Sequence, residues 1–180
     1  MKWRGKFCLT TVMVFLCLFF AVSQAWSDEQ IKTDTDRKFL QNAYTSSSWM
    51  MILGDLALRQ AASGDVREFS RQMIEEQEKI SQNLKRLSDN KGIKMESDRD
   101  HIRLNTTSFL SKEYGAAFDR QYMSLMMDEH QRDVLLYREE IEKGRDGDIK
   151  AFAGGALKKM EAYYERARKI LSNIPQPFLK

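Results

Sequence analysis

Cysteine and proline are nearly missing from this chain, and each absence removes whole classes of protein. Its 180 residues include two cysteines and two prolines. Cys8 and Cys17 both fall within the first 25 residues, a stretch with the features of a removable leader. Without that stretch no thiol is left, which rules out disulfides, thiolate-held metal and cysteine nucleophiles. Pro175 and Pro177 stand at the C-terminal end, so no proline breaks the helical patterns before them. There is no Cys-x-x-Cys-His, which removes the c-type haem bundles. Glycine-rich phosphate loops, Gly-x-Ser-x-Gly and His-Glu-x-x-His are missing as well.

No apolar run is long enough to cross a membrane. The longest, Val12 to Val22, has eleven residues, against the ~20 that a helical span requires. Lys2, Arg4 and Lys6 precede it, and the small residues Ser23 and Ala25 follow at the spacing of an export cleavage site. This three-part pattern predicts a secretory signal over residues 1–25, with Ala25-Trp26-Ser27 offering a second cut two residues later. Cys17 follows Leu16 rather than a small residue, which argues against lipidation. The full chain carries a formal charge of +3, but without Lys2, Arg4 and Lys6 it has 26 basic against 26 acidic side chains. A neutral mature chain gives no footprint for nucleic acid or an anionic membrane.

What is present is helical periodicity. The first long pattern runs over 36–62 from Asp36 as N-cap, with Phe39, Ala43, Ser46, Met50, Leu53 and Ala57 at steps of four and three. Ser63-Gly64-Asp65 breaks it, and Asp65 with Glu68 reads as a capping box for a second helix over 66–89. That helix buries Val66, Phe69, Met73, Ile80, Leu84 and Leu87, and Asn90-Lys91-Gly92 stops it. Ile102, Leu104, Phe109 and Leu110 predict a crossing loop with a short helix laid over the bundle. A third long helix is expected over 115–143, and a fourth over 148–173 after a capping aspartate. The last is the most regular, with Ile149, Ala153, Ala156, Met160, Tyr163, Ala167, Ile170 and Ile174. Gly154-Gly155 within it is expected to mark a close helix approach or a kink. The predicted fold is all-α, an antiparallel four-helix bundle occupying residues 36–174.

Bundle chemistry sits at mid-height. There the pattern supplies Met50, Glu76 with Gln77, His130 and Tyr163. Glu76, His130 and Tyr163 could be metal ligands, iron, manganese or zinc. They could equally form, with Gln77, one hydrogen-bonded polar layer that sets helix register. A satisfied polar group costs little to bury and an orphaned one ~1–3 kcal/mol, so clustering needs no cofactor. Carboxylate dimetal bundles use Glu-x-x-His pairs, whereas Met127 stands three residues before His130. The polar-layer reading is preferred and no metal is expected. His101, among Asp98, Arg99, Asp100 and Arg103, reads as a solvated loop residue. Met50-Met51 and Met126-Met127 point to different faces and read as core packing rather than copper ligands, and Trp49, Tyr44 and Tyr164 as packing or surface aromatics.

These residues also form a recognisable set. Phe39-Leu40 with Ala43, Leu53-Gly54-Asp55-Leu56-Ala57, Val66-x-x-Phe69-x-x-x-Met73, Phe118-Asp119-x-x-Tyr122-Met123 and His130-Gln131-x-Asp133-Val134 follow one another across residues 36–172. The set resembles the exported bacterial family known as domain of unknown function 4142, whose members are often labelled outer membrane proteins. The resemblance implies a ferritin-like bundle outside the cytoplasm. It also implies an inward polar set with glutamate where this chain has Met50, Asp-His where it has Glu76-Gln77, and histidine where it has Tyr163. A Leu-Pro step is replaced by Leu157-Lys158. Only His130 stands unchanged, with Glu76 a conservative replacement.

The expected function is therefore non-enzymatic: an exported bundle of the periplasm or outer membrane, acting on an unknown envelope partner in maintenance or stress survival. A ferritin-like metal-binding protein or oxidase is the alternative. A sensory or adaptor bundle is disfavoured because no membrane span follows the domain. N-terminal sequencing of the exported protein is expected to begin at Trp26 or Asp28; a start at Met1 would leave the apolar segment as an inner-membrane tether.

Overall fold

The computed structural model describes the backbone of residues 9–95 and 101–175 and the side chains of 34–95 and 103–175. Five helices follow one another: α1 (Leu9–Gln60), α2 (Gly64–Asn90), α3 (His101–Leu110), α4 (Gly115–Lys143) and α5 (Gly147–Asn173). The four long ones pack in a ring in which α1 touches α2 and α4, and α5 touches α4 and α2. Tight turns reverse the chain between α1 and α2 and between α4 and α5, while the longer connection carrying α3 crosses the length of the bundle. Among the described residues no helix is long and apolar enough to cross a membrane. The side chains of the expected signal, residues 1–25, and of His101 and Ile102 lie outside the described ones.

Most of the expected seams are the core. Phe39, Ala43, Met50, Leu53 and Ala57 are buried in α1, and Val66, Phe69, Met73, Ile80 and Leu84 in α2. Phe118, Tyr122 and Met126 are buried in α4, and Ile149, Ala153, Ala156, Met160 and Ala167 in α5. Gly92 takes a φ of 65° at the end of α2, the left-handed stop that its position predicts.

Several local expectations are corrected. α1 begins at Leu9, not near Asp36, because residues 26–35 contain neither glycine nor proline to break the helix. Asp36 is consequently no N-cap of α1. The cap of α2 is Ser63, whose hydroxyl accepts from Asp65 N at 3.2 Å, and Asp65 lies within the first turn. α5 is capped by Asp146, which accepts from Asp148 N (3.0 Å) and Ile149 N (3.2 Å). In α3, Leu110 is buried but Leu104 and Phe109 are exposed. Polar contacts join α1 to that helix and to the residue after it, from Trp49 Nε1 to Thr107 (2.9 Å) and from Gln60 Nε2 to Ser111 O (2.8 Å).

Gly154 and Gly155 mark no close approach, since both face open space. The close approach is at Gly54, where an added Cβ would lie 2.7 Å from Ile74 Cγ1 and 2.9 Å from Met73 Cε. The two kinds of glycine make opposite predictions. Gly155→Ala should raise unfolding free energy by ~1 kcal/mol, since it relieves only helix propensity. Gly54→Ala should lower it by about 1–2 kcal/mol, overpacking outweighing the propensity gain. Urea unfolding of both variants checks the contrast.

Candidate functional site

Mid-bundle polar residues do meet at one level, but in a different grouping from the expected cluster. Gln77 is buried between α1 and α2: its Oε1 accepts from Ser47 Oγ at 2.7 Å and its Nε2 donates to Met50 Sδ at 3.3 Å. Ser47 precedes Met50 by one helical turn, so a single amide reaches both.

His130, fully buried on α4, directs its ring toward α5. It stacks on Tyr163 with centroids 5.4 Å apart and planes 23° apart, and Phe69 of α2 packs edge-on against both rings. Its Nδ1 lies 2.8 Å from Met126 O, one turn back on the same helix. A carbonyl oxygen only accepts, so Nδ1 carries the proton and Nε2 presents a lone pair. That nitrogen has no hydrogen-bond partner among the described residues. Burial pushes the imidazole down to about 4, against the smaller opposing effect of the Met126 carbonyl, so the ring is neutral at physiological pH.

Of the three candidate ligands, only His130 points a free donor into the interior. The Tyr163 hydroxyl donates to Gln72 O at 2.9 Å, and half-burial raises its pKa, helped by the charge of Glu76. Glu76 turns to the rim between α2 and α5, where Lys159 Nζ lies 2.6 Å from its Oε1. The α2 seam places Gln77 inward, and the adjoining Glu76 then falls about 100° around the helix. Glu76 therefore takes no part in the interior layer predicted for it. Among the described residues no three His, Cys, Asp or Glu side chains come together in the manner of a metal site.

Other polar groups, to which the sequence pattern gives no mid-bundle role, are buried as well. Asp133 is buried beside Ser46; burial raises its carboxyl to about 7, although Ser46, Arg103 and Arg132 pull it the other way. Glu129, one turn earlier, is buried and pairs with Arg132. Arg103 of α3 lies over the Trp49 ring at 5.1 Å. The Tyr122 and Ser70 hydroxyls bond at 2.9 Å, and burial holds the phenol well above its usual range. Asp36, Asp119 and Glu140 are also buried. One signal was available: Glu129, Asp133 and Glu140 recur at steps of four and seven, on a face that meets α1.

Comparison with known proteins places this geometry. Residues 21–170 match the family described as Domain of unknown function (DUF4142), and the chain belongs to that family. No curated protein matches it. A solved structure of a Streptomyces coelicolor protein, described as a secreted DUF305 protein, aligns with a TM-score of 0.68 at 14% identity, over 80% of this chain and 97% of its own. CopM in its Cu(II)-bound form aligns with a TM-score of 0.64 at 16% identity, over 77% and 96%. At such identities the likeness is one of fold. Of the positions where the resemblance implies inward polar residues, Met50, Gln77, His130 and Tyr163 contribute to the layer between the four long helices, and Glu76 does not.

The buried imidazole sets an acid limit. Its folded pKa lies below its unfolded value of 6.5, so the stability it contributes is full above about 6.5 and lost as pH falls through about 4. Between pH 7 and pH 4 the wild-type chain should lose about 3 kcal/mol more than His130→Leu. Urea melts of both proteins at the two pH values measure the difference.

Proposed function

We propose that this DUF4142 bundle is a non-enzymatic exported protein that works through its outer surface, in envelope maintenance or stress survival, in the periplasm or at the outer membrane. The observation that carries this reading is the use of its interior polar groups. Gln77 is committed to Ser47 and Met50, and Tyr163 to Gln72 O, at positions where the family pattern would place stronger ligands. These contacts hold helices to one another and set their register. Export is supported by the charged, apolar and small-residue order of residues 1–25 and by a structural neighbour described as secreted. The outer faces carry neighbouring charges of both signs, such as Arg71 with Glu68, Lys85 with Asp89 and Arg138 with Glu161.

One observation favours a second reading, metal binding. His130 Nε2 is a neutral, unpartnered donor fixed by the Nδ1 bond to Met126 O, which is the arrangement metal-ligating histidines adopt. A neighbour of the same fold is described in a copper-bound form. The donors do not complete an iron, manganese or zinc set, because Glu76 is held by Lys159 and the Tyr163 hydroxyl by Gln72 O. A soft cation held by His130 with methionine thioethers of the same layer is the form this reading takes.

Elemental analysis of the exported, purified protein separates the two. The first reading expects no stoichiometric metal after purification or after incubation with Cu(I), and equal rescue of a deletion strain by wild type and His130→Leu. One equivalent of iron, manganese, zinc or copper that disappears in His130→Leu, with rescue lost in parallel, would replace it by the second.

A further inference from the structure

The end of the bundle where α4 turns into α5 contains a pair of buried carboxyl groups unlike anything at the opposite end. Asp36, on α1, accepts from the backbone N–H of Arg145 at 2.9 Å and of Asp146 at 3.3 Å. These are free donors of the Gly144–Asp146 turn, so a side chain 109 residues earlier fastens that turn to the first helix. Glu140, 1% exposed, lies under the same turn and interacts with Asp36, with no hydrogen-bond donor to either of its carboxyl oxygens among the described residues. The turn is wrapped closely over this carboxyl: the Glu140 backbone carbonyl accepts from Gly144 N at 2.8 Å, and a Cβ on residue 144 would collide with the Glu140 side chain.

Among the described residues, three neighbouring elements set charges against Glu140. α1 supplies Asp36, the turn supplies Asp146, and α5 supplies Lys150. Lys91, just beyond α2, has its Nζ taken at 2.7 Å by both Asp146 and Asp148. Arg145 binds Asp36 through its main chain, and its side chain is exposed. Among the described residues Glu140 thus has acid on two sides and, in Lys150, a cation acting on it. Two carboxylates cannot both be charged at such a site without a large penalty, whereas one proton between them makes a hydrogen bond.

We propose that Asp36 and Glu140 form a proton-held latch that fastens the α4–α5 turn to α1 in acid surroundings and loosens it as they become alkaline. The proton resides on Glu140 and bridges to Asp36, leaving Asp36 free to accept the two turn amides. Burial first, and Asp36 second, raise the Glu140 carboxyl to about 8 in the closed form. Once the turn lifts, Glu140 is wetted and returns to its ordinary value near 4.5. The closed form therefore binds the proton over a pH range in which the open form has released it. Opening becomes easier as pH rises from about 4.5 to about 8 and changes no further above that.

Amide exchange of the mature protein, followed by NMR from pH 5 to 9 and corrected for intrinsic rates, tests the latch. Protection of the Arg145 and Asp146 amides should fall about tenfold per pH unit up to about 8 and then level. In Glu140→Gln the profile should be flat. Ala62 and Ser63 amides, held by Asp119 at the other end, should keep constant protection in both proteins. The carbon-13 carboxyl shift of Glu140 in wild type should titrate near 8, and this alone decides should the variant not fold. The proposal is overturned by a Glu140 midpoint in the usual carboxylate range, by equal slopes in the two proteins, or by Ala62 and Ser63 falling in step with the turn.

Discussion

A helix that begins after a tight turn leaves the backbone N–H groups at its start without intrahelical partners. In this protein the need is met from a distance. Asp119 of α4 accepts from Ala62 N (3.0 Å) and Ser63 N (2.8 Å) in the α1–α2 turn. Asp36 of α1 does the same for the α4–α5 turn. Each turn is thus tied to a helix of the opposite pair, and the two ties run between α1 and α4, once at each end. Apolar seams tell helices to associate without telling them which neighbour to choose. Two charge-assisted ties at opposite ends accept one ring order and one vertical register.

Within that frame the middle of the bundle is a compromise between packing and polarity. Met50, Met126 and Phe69 fill the volume; Gln77 binds Ser47 and Met50; Tyr163 lies flat on His130 with its hydroxyl turned to Gln72 O. Thioether and amide stand at Met50 and Gln77, where the resemblance implies carboxylate and imidazole, and their contacts join α1 to α2. His130 is the exception, because its second nitrogen has been left without a task. The chain bears the consequence as acid sensitivity, set against the opposite sensitivities of Asp133 and Glu140. With folded pKa values raised to about 7 and about 8, those carboxyls contribute stability that is full below the ordinary carboxylate range and lost as pH rises through the raised values.

Much of the fold could be read from the residues in order. Steps of three and four through Phe39, Ala43 and Met50, and through Ile149, Ala153 and Ala156, state which face of each helix is apolar, and those faces are buried. Gly92 and Pro175 announce their stops. Caps were less legible, since Ser63, Asp65, Asp146 and Asp148 all have capping side chains and only the backbone path selects Ser63 and Asp146. The start of α1 was misread for a related reason: Asp36 looks like a cap, but no breaker precedes it and its carboxylate serves another turn. Gly54 and the Gly154-Gly155 pair look alike in a string of letters, yet one lies where α1 meets α2 and the others face solvent.

Sequence alone determined the helical class, the apolar faces, the confinement of both cysteines to the first 25 residues, and a resemblance that the family match bears out. Those properties follow from local chain chemistry, in which each residue acts through its own propensity and its neighbours three or four positions away. Tertiary structure alone decided that Glu76 leaves the interior for Lys159, that His130 meets Tyr163, and that Asp36 and Glu140 come to share one buried corner. Burial and electrostatic pairing depend on distances across helices, and residues 36 and 140 have no separation until the chain has folded.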